Sequence, residues 1–211
     1  MVMLDFTLEN LSAAEVERLR AVYEPLASSV RELIDATVRT EVDAEAVAAA
    51  KAEIDSATAR LRQKQLDGTY GVRYLATGER MAWGNVAIGV RNPVAPPLVM
   101  QHDPSSGKVW CDFELGAAYE GPPGHVHGGV AALVLDHVLG EAASDGVNPR
   151  FTGTITLRYV RATRLGRLHA EASTTRVDGV KTFAAGHLAD DEGVTVEAQG
   201  VFIQPRWARE Q

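Results

Sequence analysis

Two hydrophobic rhythms divide the chain. From Leu19 onward, apolar residues recur at Leu19, Val22, Leu26, Val30, Leu33 and Val38, the three-to-four spacing of one helix face. Ser12, three residues before Glu15, supplies a capping box: the hydroxyl accepts from a first-turn N–H and the carboxylate reaches back to the cap. Asp43 can cap a second helix, with Val47, Ala50, Ile54, Ala57 and Leu61 on one face and a high content of alanine, the strongest helix former. Residues 12–64 therefore predict two helices, a hairpin being one arrangement, with Pro25 as a point where the first can bend or break. Such a pair serves either as a stabilising layer on a main domain or as a lid or partner-binding arm.

From about residue 70 the helical period stops. Residues 84–98 carry Gly84, Gly89, Pro93, Pro96 and Pro97 and predict loop, with room for an edge strand. Val99–His102 and Lys108–Leu115 read as strands across a turn at 103–107, and Glu120–Gly124 is a further turn-rich stretch. Gly128 to Ala143 is the long apolar helix of this half, apolar almost all the way round, the mark of a buried helix. Beyond it, Thr152–Val160, Arg167–Arg176, Val180–Leu188 and Val194–Ile203 read as strands. The connections at 178–179 and 190–193 are too short for helical crossovers, so these strands pair antiparallel. The predicted class is α+β: a curved antiparallel sheet wrapped around one central helix in a domain over 71–211, preceded by a helical N-terminal extension over 1–70.

Composition narrows the field. With 45% hydrophobic and 23% charged residues the chain is globular rather than disordered. No apolar run approaches the ~18–20 residues of a membrane span, so none is expected. The opening MVMLDFTLEN lacks a basic stretch followed by an apolar one, so no secretory signal is expected. The single cysteine, Cys111, excludes an internal disulfide and a multi-cysteine zinc site and makes a reducing cytoplasm the expected location. Of the net charge of −7, residues 1–67 contribute −5 and residues 68–211 contribute −2. Neither part has the basic surplus of a nucleic-acid binder.

Asp136 stands out. It lies mid-helix among Leu133, Val134, Leu135, Val138 and Leu139, where a carboxylate costs several kcal/mol unless hydrogen bonds compensate. Such a residue either faces an internal cleft or is bonded to a structural partner. At the start of the same helix stands His127-Gly128-Gly129. First-turn N–H groups have no intrahelical acceptor and carry partial positive charge, and glycine lets a ligand approach them closely. They can stabilise a carbonyl oxygen whose charge grows during reaction; alternatively the glycines only permit tight packing of helix on sheet. Gly128 and Asp136 are eight residues apart, about 12 Å along a helix. If both act on one substrate, they come from different copies of the helix, which predicts a two-fold dimer with its sites at the subunit interface.

The run Gly121-Pro122-Pro123-Gly124-His125-Val126-His127-Gly128-Gly129, with Asp136 nine residues after His127 and Thr152 opening the next strand, resembles the hot-dog-fold acyl-CoA thioesterases. It is most similar to the PaaI-like group that includes the THEM-type enzymes, over roughly residues 90–205. The resemblance implies that Asp136 is the catalytic carboxylate, as general base or nucleophile, and that Thr152 hydrogen-bonds it or its water. It implies that the Gly128 N–H polarises the thioester carbonyl, with His127 shaping the loop and Gly129 against the substrate. It also implies a homodimer or dimer of dimers and no cofactor, coenzyme A being part of the substrate. One position departs from the pattern: many PaaI-like enzymes carry Asn or Gln six residues before the histidine, where this chain has Gly121. The chemistry is coherent without the name, since a thioester has a good leaving group and needs an oxyanion site and an activated water. No Gly-x-Ser-x-Gly elbow occurs.

Other candidates carry less. His125 and His127 share a strand face but lack a third metal ligand nearby. His137 points about 100° away from Asp136 on the helix. Cys111 reads as an inert buried thiol. Arg150, Arg158, Arg161, Arg164, Arg167 and Arg176 form a basic stretch, with Arg161 and Arg164 the preferred pair for the phosphates of coenzyme A; solvated turns are the alternative. A non-catalytic acyl-CoA-binding regulator and a hydratase or dehydratase on the same fold are the competing readings.

Overall fold

The computed structural model describes residues 7–77, 80–144 and 149–209; the start of the chain inspected for a leader, residues 1–6, lies outside them. The chain forms two compact units, divided after Val94.

The first unit runs through β1 (Thr7–Glu9), α1 (Ala13–Arg39), α2 (Ala44–Leu61), β2 (Arg73–Leu75) and β3 (Arg80–Met81). β2 pairs parallel with β1 and antiparallel with β3. The capping box is formed: the Glu15 N–H donates to Ser12 Oγ at 3.3 Å, and the Ser12 N–H donates to Glu15 Oε2 at 2.8 Å. α1 continues through Pro25 as one helix of 27 residues. Its Val16 joins Leu75, Met81 and Trp83 in a small core, with Leu19, Tyr23 and Tyr70 packed against it. The Arg91 guanidinium lies 3.6 Å from the centre of the Tyr23 ring, a cation–π contact. α2 is capped by Asp43, whose Oδ1 accepts from the Ala46 N–H at 2.9 Å, and it buries no residue.

The second unit is a six-stranded antiparallel sheet carrying one helix. Its strands are β4 (Gln101–Asp103), β5 (Lys108–Leu115), β6 (Phe151–Tyr159), β7 (Gly166–Asp178), β8 (Lys181–Asp190) and β9 (Gly193–Ile203), in the spatial order β4-β5-β7-β8-β9-β6. α3 (Gly128–Ala143) packs on the sheet. Alternation along the strands sends Cys111, Leu115, Leu188, Val196 and Phe202 into the core, and Ala170, Ala172, Ala184 and Ala198 are buried with them. From α3 come Ala131, Val134, Leu135, Val138 and Leu139. Burial of each Val or Leu contributes about 1.5–3 kcal/mol. The other side of α3, with Ala132, Leu133, Asp136, His137 and Gly140, is only half-buried, so the helix is sunk on one face and not all round. Among the described strands the edge strand β6 pairs with β9 alone, and seven of its nine residues are exposed, which leaves a long edge open to pairing.

Candidate active site

The entrance to α3 is built by a folded-back loop. The His127 N–H donates to the Tyr119 carbonyl at 2.9 Å, and the Gly121 N–H donates to the His125 carbonyl at 2.9 Å. The Gly124 N–H donates to Glu120 Oε1 at 2.6 Å, and the Val126 N–H donates to the Thr163 carbonyl at 2.8 Å. A Cβ at Gly121 would lie 2.7 Å from His127 Cα. A side chain at that position is therefore shut out by the backbone of the helix entrance, which accounts for the glycine there.

His127 is the helix cap. Its Nδ1 accepts from the Gly129 N–H at 3.0 Å, and its carbonyl accepts from the Val130 and Ala131 N–H groups. Nδ1 is then the unprotonated ring nitrogen. Three of the four orphan donors at the helix start are thereby met: the His127 N–H by the Tyr119 carbonyl, the Gly129 N–H by His127 Nδ1 and the Val130 N–H by the His127 carbonyl. The fourth, the Gly128 N–H, has no acceptor among the described residues. Tyr159, which the sequence reading passed over, donates its hydroxyl to the Gly128 carbonyl at 2.9 Å, and its ring edge would lie 3.4 Å from a Cβ at Gly128. A cleft of about 400 Å³ opens beside this peptide, with Pro122, His125, Gly128, Tyr159 and Arg161 in its wall.

Two turns further along α3, Asp136 meets Thr152. The Thr152 hydroxyl donates to Asp136 Oδ1 at 2.8 Å. A β-bulge follows Thr152: the β6–β9 register shifts between Thr152 and Thr154, leaving Gly153 unpaired. Asp136 is half-buried, and the hydroxyl compensates part of its desolvation. Asp136 and Thr152 are thus brought together, while Gly128 remains about 12 Å away along the same helix.

Arg161 and Arg164, in the β6–β7 connection, face acids at the β8–β9 turn. Arg161 forks onto both carboxylate oxygens of Asp190 and donates to the Gly193 carbonyl at 2.9 Å. This pairing holds the Asp190 carboxyl down to about 2, and Asp190 in turn raises the Arg161 guanidinium further. The Arg164 backbone N–H also reaches Asp190, at 3.3 Å, and its side chain lies 2.8 Å from Glu192. A larger groove, about 780 Å³, runs over the sheet past Lys108, Glu171, His187 and Glu197, and contains neither Asp136 nor Gly128. Its charges are paired with one another, Lys108 with Glu171 and Arg158 with Glu197. Cys111 is fully buried, and burial pushes its thiol up to about 12, which makes it a poor nucleophile. Among the described residues no three His, Cys, Asp or Glu side chains are grouped to hold a metal ion, and no helix is long and apolar enough to cross a membrane.

Residues 123–197, which include every polar residue described above from His125 to Glu192, match the thioesterase superfamily. Human acyl-coenzyme A thioesterase THEM5 is 27% identical over 109 residues, 50% of this chain and 44% of that protein. Acyl-coenzyme A thioesterase THEM4 of Xenopus laevis is 28% identical over 108 residues, 50% of this chain and 49% of that protein. The chain spans about half the length of these curated relatives. The crystal structure of a thioesterase superfamily protein superposes with a TM-score of 0.76 at 30% identity, covering 94% of this chain and 95% of that one.

Proposed function

The chain belongs to the thioesterase superfamily, with an α+β hot-dog architecture, and we propose that it hydrolyses acyl-coenzyme A thioesters to free acid and coenzyme A with Asp136 as the catalytic carboxylate. The observation that carries this reading is the 2.8 Å bond from the Thr152 hydroxyl to Asp136 on the same helix whose first turn leaves the Gly128 N–H without an acceptor.

The step needs few groups. Water attacks the thioester carbonyl carbon as Asp136 takes its proton, or Asp136 attacks directly and water then hydrolyses the resulting anhydride. Negative charge grows on the carbonyl oxygen and is met by the Gly128 N–H at the positive end of α3. The C–S bond breaks, and the thiolate leaves as coenzyme A. Thr152 orients the carboxylate. His127 acts at one remove, as a positioning residue that ties up the Gly129 N–H and fixes the Gly128 peptide. Gly129 keeps the approach clear of a side chain.

Two copies complete the site in this reading. Asp136 and Gly128 of one helix are too far apart to touch one thioester, and the open β6 edge gives a second protomer a place to pair. The N-terminal unit is an appendage to this dimerising domain. The coenzyme A phosphates meet Arg161 and Arg164 at the rim, where Arg164, half-exposed, exchanges Glu192 for phosphate. The test is release of free thiol from a panel of short, long and aryl acyl-CoAs, followed with a thiol-reactive chromophore. Turnover on at least one member is the expected result; acyl-CoA binding with no thiol released across the panel contradicts the proposal.

A further inference from the structure

The stripe Val47, Ala50, Ile54, Ala57 and Leu61 on α2 has no cover among the described residues of its own unit. Every residue from Ala44 to Leu61 is exposed except the half-buried Thr58, and Ile54 and Leu61 stand 37% and 53% exposed. Val47, Ile54 and Leu61 are seven residues apart, as are Ala50 and Ala57, so large and small side chains alternate along one seam as positions a and d of a heptad. Most helical stability in proteins comes from packing of an apolar face, and α2, 18 residues long, buries nothing. We infer that α2 is an interface for a second copy of this chain, the two α2 helices pairing antiparallel across a two-fold axis.

The seam selects both the partner and the register. In an antiparallel pair each a position faces a d position of the other helix. Setting Ile54 against Ala57 of the partner subunit also sets Leu61 against Ala50 of the partner subunit. Symmetry repeats both, so four layers each join a large side chain to a small one. The same register brings Glu53, which flanks the seam, beside Arg60 of the partner subunit, again twice by symmetry. Sliding one heptad, so that Ile54 meets Ala50 of the partner subunit, instead faces Glu53 with its own copy and Lys51 with its own copy. A parallel pair stacks alanine on alanine in alternate layers and joins no opposite charges. A membrane surface fits less well: an interfacial helix carries a polar face rich in Lys and Arg, whereas α2 carries Glu45, Glu53 and Asp55 against Lys51 and Arg60. None of this rests on thioester chemistry.

The test uses the full chain with a spin label at a single introduced cysteine, Ser56→Cys or Ala49→Cys, and double electron–electron resonance to measure distances between copies. Cys111 is fully buried and stays unlabelled. In the proposed register the two copies of residue 56 lie about 2 Å apart along the helix axes and the two copies of residue 49 about 20 Å apart. The label at 56 therefore reports the shorter distance, and Ile54→Glu, an exposed substitution, removes that short distance while any distance that comes from pairing of the sheet domains stays. Arg60→Glu lowers the paired fraction, and Glu53→Arg on the same chain restores it. Equal distances at the two positions, no short distance at 56, a short distance at 56 unmoved by Ile54→Glu, or failure of the charge swap to rescue each overturn the proposal.

Discussion

Two helices of similar length, α2 and α3, meet opposite fates in this chain. α3, with 16 residues, buries Ala131, Val134, Leu135, Val138, Leu139 and Ala143; α2, with 18, buries none. Both are rich in alanine and both have an apolar side. The difference is its width. α3 presents a broad face of adjacent pairs, Val134-Leu135 and Val138-Leu139, which suits the flat surface of a sheet. α2 presents a narrow line in which Val, Ile and Leu alternate with alanine, which suits another helix. An apolar stripe states that a helix needs cover; its width says what kind.

The contrast can be broken at matched positions. Leu135→Ala, at a site with no exposure, should lower stability by about 2–5 kcal/mol in chemical denaturation. Ile54→Ala, measured at protein concentrations too low for pairing, should cost less than about 1 kcal/mol. Equal costs would mean that α2 is packed as α3 is. A smaller effect is expected where α3 meets β6. Thr152→Ala should lower kcat about 10- to 100-fold, or roughly 1.4–2.7 kcal/mol, with little change in KM. Thr152→Ser should recover most of it; a rate insensitive to both would make the hydroxyl structural. The smallest effect belongs to the rim. The Asp190 carboxyl sits at about 2 in the folded chain, below its ordinary value, so its pairing with Arg161 stabilises the fold fully above about pH 4. That contribution is lost as pH falls through about 2. Arg161→Met should raise the pH of half-unfolding in an acid titration by roughly half a unit; an unchanged acid limb would show the pair to be idle.

Much of the scaffold was legible in the sequence because its signals are long and local. Gly128–Ala143 and Lys108–Leu115 were read to the residue, the first from sustained apolarity behind a Gly-Gly entrance and the second between turn residues and a glycine. The capping box at Ser12 was read from two residues alone. β1, β2 and β3 were missed, because two or three residues show no alternation. At the candidate site, Asp136 was conspicuous as a carboxylate among leucines and valines. That Thr152 bonds the carboxylate itself, the resemblance having left open the carboxylate or its water, shows only in the fold, beside a bulge at Gly153 that no local pattern announces. The partners of Arg161 and of the Gly128 carbonyl lie 29 and 31 residues away, too far along the chain for a local pattern to show, so the acids beside Arg161 and Arg164, Asp190 and Glu192, could not be read with the basic stretch. Tyr159 carried no signal beyond closing a strand.

Asp136→Asn probes the catalytic proposal most directly, because it preserves the size of the side chain and its bond from Thr152 while removing the charge. Measured together on an acyl-CoA that the unmodified chain turns over, free-thiol release should fall by about 10³-fold, while acyl-CoA binding and the unfolding midpoint stay close to those of the parent. Thiol release at the parent rate would take Asp136 out of the chemistry.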